Sequence, residues 1–518
     1  MSTTPVYSLR NSPKSASFGL SPALAVCLVA AVAGCGDSKG TADESSSTNP
    51  SGISATPGMP TEPTSMGSIT ANPTSDEPKL DLASSDTEVP GGCATTDGSC
   101  NLLDILFVID NSGSMGEEQT NLAANFPYLI QKIRDLKDKN GELVNADVNI
   151  MVTTTDFGHP LCTPFQKADY TPAKGAPINT ACTDRLDRFD PIADGVSVPQ
   201  ACTNGCTPGA AAVPDGPFIH FDADSSNVLG GTGPDPVADA LSCIGPQGID
   251  GCGMEATLET MLQALDPNKA WNTGGAPFLR VGAVLAIVIV TDEEDCAVKD
   301  YDYFRPDKAT DPNFNQYWED LPGMPGVKKD PTSAVCWNAG TNCTDANADT
   351  IYESCESADK GVLQPTARYI NYLKDVLIKD KKKEVVMLGI LGVPPVTQRN
   401  DKPPYEPLDG GVFDLVYRDW VPSDILPADM MAIPPKTAAT KQYEFGIGPG
   451  CSNAATGQAI PPVRVKEVCE SLNIPDDPNT PDIDGELRCC IESICDEDFS
   501  NAINCLAGIL QDQLVAPG

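Results

Sequence analysis

LLDILFVIDNSGSMG, residues 102–116, is the stretch on which the fold turns. Leu102 to Ile109, interrupted only by Asp104, has the length and the Leu/Ile/Val/Phe content of a strand buried on both faces of a sheet. The run stops at Asp110. Asp110, Ser112 and Ser114 then alternate with Asn111 and Gly113, setting one carboxylate and two hydroxyls within five residues at the carboxyl end of the strand. Ligands of open α/β sheets bind at that end. The plainer alternative is a polar strand-to-helix turn in which Ser114 caps the following helix.

Working downstream, Leu122, Phe126, Leu129, Ile130, Ile133 and Leu136 fall at helical spacing within Glu117 to Leu136, an amphipathic helix able to cover one face of a sheet. Val148 to Thr155 (VNIMVTTT) reads as a second strand. Residues 156–217 hold Cys162, Cys182, Cys202 and Cys206 in a Pro-, Gly- and Asp-rich stretch without periodicity, which predicts a disulfide-stapled insertion. Phe218 to Phe221 reads as a short edge strand, Val237 to Ile244 as a short helix, and Gly251 to Leu265 as a Gly-rich turn entering a helix. Val281 to Val290 is almost wholly apolar and ends at Thr291-Asp292, with Glu293, Glu294 and Asp295 behind it. A second buried strand thus delivers a carboxylate at its carboxyl end, and in a parallel sheet that end shares an edge with Asp110.

A second irregular insertion, residues 296–362, carries Cys296, Cys336, Cys343 and Cys355. A helix over Gln364 to Lys379 and a third buried strand over Glu384 to Leu391 follow, then a polar, Pro-rich connection to about Pro462. The carboxyl-terminal region holds Cys451, Cys469, Cys489, Cys490, Cys495 and Cys505 and closes with a helix near Asp498 to Leu514. Strands alternating with helices predict an α/β fold with a doubly wound, mostly parallel sheet and disulfide-rich loop insertions.

The 518 residues have room for two or three domains or one large decorated one. With Lys+Arg 34 against Asp+Glu 72 the net charge is -38, so phosphate backbones and anionic lipid surfaces repel the chain and a nucleic-acid partner is excluded. The 20 cysteines argue for an oxidising compartment. At the amino terminus, Arg10 and Lys14 precede a Gly19 to Ala33 run of apolar or small residues that is too short to span a bilayer. This reads as a signal peptide over residues 1–34, and Val32-Ala33-Gly34-Cys35 resembles the lipobox of bacterial lipoproteins, in which the cysteine is acylated. An ordinary signal peptide with Cys35 incidental is the alternative. Cleavage before Cys35 removes two positive charges and no negative ones, taking -38 to -40. Residues 35–92, rich in Ser, Thr, Pro and Gly, form a tether with a root-mean-square reach of roughly 40 Å.

The chain resembles the von Willebrand factor type A domain, a Rossmann-like fold, in DNSGS at 110–114, in IVIVTDEED ending a central strand at Asp292, and in strand and helix order. The resemblance covers roughly residues 101–395 and the final helix. The implied organisation is a type A domain over 93–395, with insertions at about 156–217 and 296–362, and a Cys-rich extension over 396–518 whose last helix completes the fold. It implies a metal-ion-dependent adhesion site in which Asp110, Ser112 and Ser114 hold a divalent cation with Asp292 close by. Mg²⁺ wants oxygen ligands and keeps several waters, so two hydroxyls and a carboxylate suffice, with a position left for a partner's carboxylate. One element departs from the family. Where a threonine hydroxyl is expected, the turn reads Gly251-Cys252-Gly253-Met254-Glu255; Glu255 is the nearest oxygen donor, and Thr232 lies too early in the chain. A Glu255 carboxylate would make the ion less electrophilic and favour Ca²⁺ or Mn²⁺.

Setting aside Cys27 in the signal and Cys35 leaves 18 cysteines, consistent with nine disulfides; Cys162 with Cys182 and Cys243 with Cys252 are expected local pairings. A zinc site at Cys202-x-x-x-Cys206 is disfavoured by a total of two histidines, His159 and His220. Asp222-x-Asp224-x-Ser226 and Asp482-x-Asp484-x-Glu486 have the oxygen spacing of calcium loops but lack the glycine and terminal glutamate of an EF-hand, and read as solvated acidic loops. No Ser-His-Asp or Cys-His set is visible, so the expectation is a non-enzymatic protein. The favoured reading is a lipid-anchored, exported cell-envelope lipoprotein that binds a protein partner through a metal-bridged acidic side chain in adhesion or assembly, touching the membrane through its anchor alone. A metal-independent structural lipoprotein and an envelope hydrolase are the alternatives.

Overall fold

The computed structural model describes residues 100–191, 196–345, 347, 349–476 and 485–516. The expected signal peptide, Cys35, the tether and Asp482-x-Asp484 lie outside them. Asp222 of the other acidic loop accepts from the Asp224 and Ser225 amides at 2.8 and 2.7 Å, a turn that satisfies itself.

Six strands form the central sheet: β1 (Leu102–Ile109), β2 (Asp147–Thr154), β3 (Ile219–Phe221), β4 (Val284–Val290), β5 (Val385–Leu391) and β6 (Cys489–Ser493). Their spatial order is β6-β5-β4-β1-β2-β3. Neighbours run parallel except β3, which pairs antiparallel with β2 at the edge. The order reverses between β1 and β4, which makes the crevice at their carboxyl ends the topological switch point.

Alternation along the strands feeds two cores. Leu103, Ile105, Phe107 and Ile109 of β1 pack with α1 (Gly116–Arg134), α2 (Pro236–Ile244) and the final helix, Ser500–Gln513. Leu106 and Val108 face the other side, against α3 (Thr257–Ala264) and α4 (Thr366–Asn371), which continues as a wider helical turn over Tyr372–Asp380. The helix α5 (Val463–Glu470) completes that layer, and the final helix is α6. Helices on both faces of a mostly parallel sheet make a three-layer α/β fold. No helix among the described residues is long and apolar enough to cross a membrane.

Two elements of the central layers were not visible in the sequence, α5 and β6, and both lie beyond residue 395, so the sheet takes its last strand from the carboxyl-terminal region. The disulfides also differ from the local pairings expected. Cys162 pairs with Cys252, Cys182 with Cys202, and Cys206 with Cys243: one bond closes the insertion on itself, and two tie it to the segment around α2 and the Gly-rich turn. Cys202 and Cys206 are thereby removed from any zinc site. Further bonds join Cys296–Cys336, Cys343–Cys355, Cys451–Cys495, Cys469–Cys489 and Cys490–Cys505, and Cys100 is also disulfide-bonded.

Asp104, the one polar residue of the β1 run, is fully buried and answered by two cations: Arg280 Nε at 2.8 Å and Lys383 Nζ at 3.2 Å. Arg280 also reaches Asp147 at the start of β2, at 2.5 Å. This network ties β1, β2 and the segments entering β4 and β5 together at the amino ends of the strands, opposite the Asp110 edge. Removing one member of a buried ion pair costs about 3–5 kcal/mol because the partner charge is left in low dielectric. Arg280→Ala is therefore expected to lower unfolding free energy by about 3 kcal/mol, at the low end because Lys383 remains; a loss below about 0.5 kcal/mol in urea titration would contradict the assignment.

Candidate functional site

Ile109 of β1 lies in register with Val290 of β4, so the residues that follow each strand emerge side by side. The Asp110 amide donates to Val290 O at 2.9 Å, and Thr291 Oγ1 donates to Asp110 Oδ2 at 2.6 Å. The other oxygen of Asp110, Oδ1, accepts from the Ser112 amide at 2.8 Å, folding DNSGS into a tight turn that leads into α1. Ser112 Oγ and Ser114 Oγ stand 3.1 Å apart, and the Ser114 side chain lies near enough to Asp292 to favour its ionised form. The alternative in which Ser114 caps the helix is not seen: α1 begins without a side-chain cap, which leaves the serine hydroxyls uncommitted to capping.

Gln119, one turn into α1, holds the third loop. Its Nε2 donates to Asp110 O (2.9 Å) and Gly248 O (2.7 Å), while its Oε1 accepts from the Gln247 and Gly248 amides. The Gly251 amide then donates to Asn111 O at 2.7 Å, and a Cβ at Gly251 would collide with the Asn111 side chain, so the loop can approach only with glycine there. This places Glu255 within electrostatic reach of Asp110 and Asp292, with both its oxygens buried and without a hydrogen-bond donor. Asp110, Ser112, Ser114, Asp292 and Glu255 are therefore brought to one edge. Thr232 is exposed and belongs elsewhere.

Sequence reading missed four contributors. Thr291 positions Asp110, as described above. Glu118 of α1 is 1% exposed, leaves Oε2 without a partner and repels Asp292. Glu293 packs its carboxyl against that of Glu255. Thr257, two residues after Glu255, carries a buried hydroxyl with no partner. The other two acids of TDEED are structural: Glu294 accepts from the Arg464 amide and Asp295 pairs with Arg464 Nε at 3.1 Å while capping the Leu258 amide of α3.

The electrostatics are one-sided. Among the described residues no Arg, Lys or His makes an ion pair with Asp110, Glu118, Glu255, Asp292 or Glu293, and the nearest counter-charge is Lys441, felt by Asp292 but paired with Asp429 at 3.1 Å. Burial, reinforced by mutual repulsion, pushes Asp110 up to about 6 and Asp292 up to about 8, and holds Glu118, Glu255 and Glu293 well above the carboxylate range. Hydroxyls, a carboxylate and orphaned carboxyl oxygens are the donor set of a hard cation, so these residues fit one. The cluster Cys490, Glu492 and Cys505, whose ligand atoms lie within 4.8 Å of one another, does not, because its two sulfurs are already bonded to each other.

The sequence matches no protein-family model and no curated protein.

The sign of the pH dependence follows from these shifts. Asp110 and Asp292 hold protons in the folded chain at a pH where the unfolded chain, ionising near about 4, has released them, so in EDTA stability falls as pH rises from about 4 through about 8. Urea unfolding between pH 5 and 8.5 is expected to show this decline, shallower in Asp292→Asn. A wild-type profile that is flat or rises over that interval would contradict it.

Proposed function

We propose that the chain is a cell-envelope lipoprotein, anchored at Cys35, whose type A domain captures a protein partner through a divalent cation. Asp110, Ser112 and Ser114 would hold the ion, with Asp292 and Glu255 beside it. When bound, the cation supplies a positive centre that accepts a partner's carboxylate, which the net charge of -38 would otherwise repel. The observation that carries this reading is the pairing of Asp110 and Asp292 at the switch point of the sheet, buried, hydroxyl-flanked and unanswered by any basic side chain among the described residues. Thr291 holds Asp110 in place, and Gln119 keeps the Glu255 loop closed on the turn. The mostly parallel sheet with helices on both faces is compatible with the doubly wound fold that the type A resemblance implies.

Calorimetric titration of the full chain with Mg²⁺ or Mn²⁺ is expected to show binding. Partners that merely orient a metal ligand carry about 10–100-fold in affinity, so Thr291→Val is expected to weaken binding within that range and Asp110→Ala by more than about 100-fold. Silence of the wild-type chain toward both ions would favour the metal-independent structural reading, in which partner capture survives EDTA.

A further inference from the structure

Beside the candidate metal edge opens a cavity of about 720 Å³, a volume in the range of ligand pockets. Leu161, Met254, Pro331 and Phe445 give it apolar walls, while Glu293, Asp330 and Glu444 contribute its charge. Two of those acids are already answered: Lys329 lies 3.3 Å from Asp330 and Lys436 2.9 Å from Glu444. Glu293 is not. It is 8% exposed, it reaches the cavity, and the group packed against its carboxyl is a second acid, Glu255, whose oxygens have no donor. Glu293 also lines the neighbouring smaller pocket, where the Lys441 ammonium lies over the rings of Trp420 and Phe445 and is paired with Asp429. Among the described residues no Lys, Arg or His forms an ion pair with Glu293.

We propose that this cavity receives a basic side chain, arginine or lysine, of the protein partner, its aliphatic stem against the apolar walls and its charge on Glu293. An acid buried against a second acid is unfavourably placed, and a charge-assisted hydrogen bond from an entering ammonium or guanidinium offsets that cost while apolar contacts bury the stem. The protein's own negative charge steers a basic segment toward the opening. The inference rests on the proposed function in taking the occupant from a protein partner, and would make an acidic residue followed closely by a basic one the recognised combination.

The test uses the full chain and three tripeptides, acetyl-Leu-Arg-Leu-amide, acetyl-Leu-Lys-Leu-amide and acetyl-Leu-Gln-Leu-amide, titrated in EDTA and again in Mg²⁺. Expected is binding of the Arg and Lys peptides at least about tenfold tighter than the Gln peptide in both conditions. Glu293→Gln should erase that preference while leaving the unfolding transition in place, and Met254→Trp, which fills the cavity, should weaken all three peptides. Equal affinities for the Arg and Gln peptides, a preference that survives Glu293→Gln, or displacement of the basic peptides by Mg²⁺ would overturn the assignment. The two readings separate cleanly: Mg²⁺ binding without a basic preference sinks the cavity proposal alone, and a basic preference without Mg²⁺ binding sinks the metal reading alone.

Discussion

Parallel register between Ile109 and Val290 is the constraint from which the site follows. Once β1 and β4 are neighbours in that register, Asp110 and Asp292 must leave the sheet together, at the switch point, where helices on both faces exclude water. The same pairing brings Thr291 onto Asp110 and lets α1 start with its serine hydroxyls uncommitted to capping. The far end of the strands shows the opposite arrangement. There Asp104 is equally buried but held by Arg280 and Lys383, so one end of β1 is electrostatically closed and the other open.

That asymmetry separates acids that hold the fold from acids left without a counter-charge. Asp295 and Glu294 are also buried, yet Arg464 from α5 pairs its guanidinium with Asp295 and donates its amide to Glu294, while Asp295 welds the strand end to α3. Asp110, Glu118, Glu255, Asp292 and Glu293 receive no such partner. Uncompensated burial of this kind destabilises the folded chain at neutral pH, and sites that tolerate it are commonly functional ones. The disulfides offset part of the strain of assembly, since Cys162–Cys252 fixes the loop that carries Glu255 to the insertion above the sheet.

Much of this was legible in residue pattern. Apolar runs, broken in β1 by Asp104 alone, gave away β1, β4 and β5, and Leu122 to Ile133 at helical spacing gave α1. Asp110, Ser112, Ser114, Asp292 and Glu255 could be named because each sits where such a run ends or a glycine turn enters a helix. The strand β6 was hidden because CCIES owes its burial to disulfides and to Glu492 pairing with Arg399, and neither leaves an apolar run. The helix α5 was hidden because its inward face includes Arg464, whose burial depends on acids 169 residues away in sequence. Disulfide pairing and the inward turn of Glu118 and Glu293 are tertiary facts, set by which loops meet over the edge, and local spacing does not carry them.

The most direct measurement is the anomalous scattering of Mn²⁺ in crystals of the full chain. Expected is a peak within about 2.0–2.5 Å of oxygens from Asp110, Ser112 and Ser114, displaced toward Asp292 and absent after Asp110→Ala. A site empty at high Mn²⁺, with the ion found elsewhere or nowhere, would contradict the account.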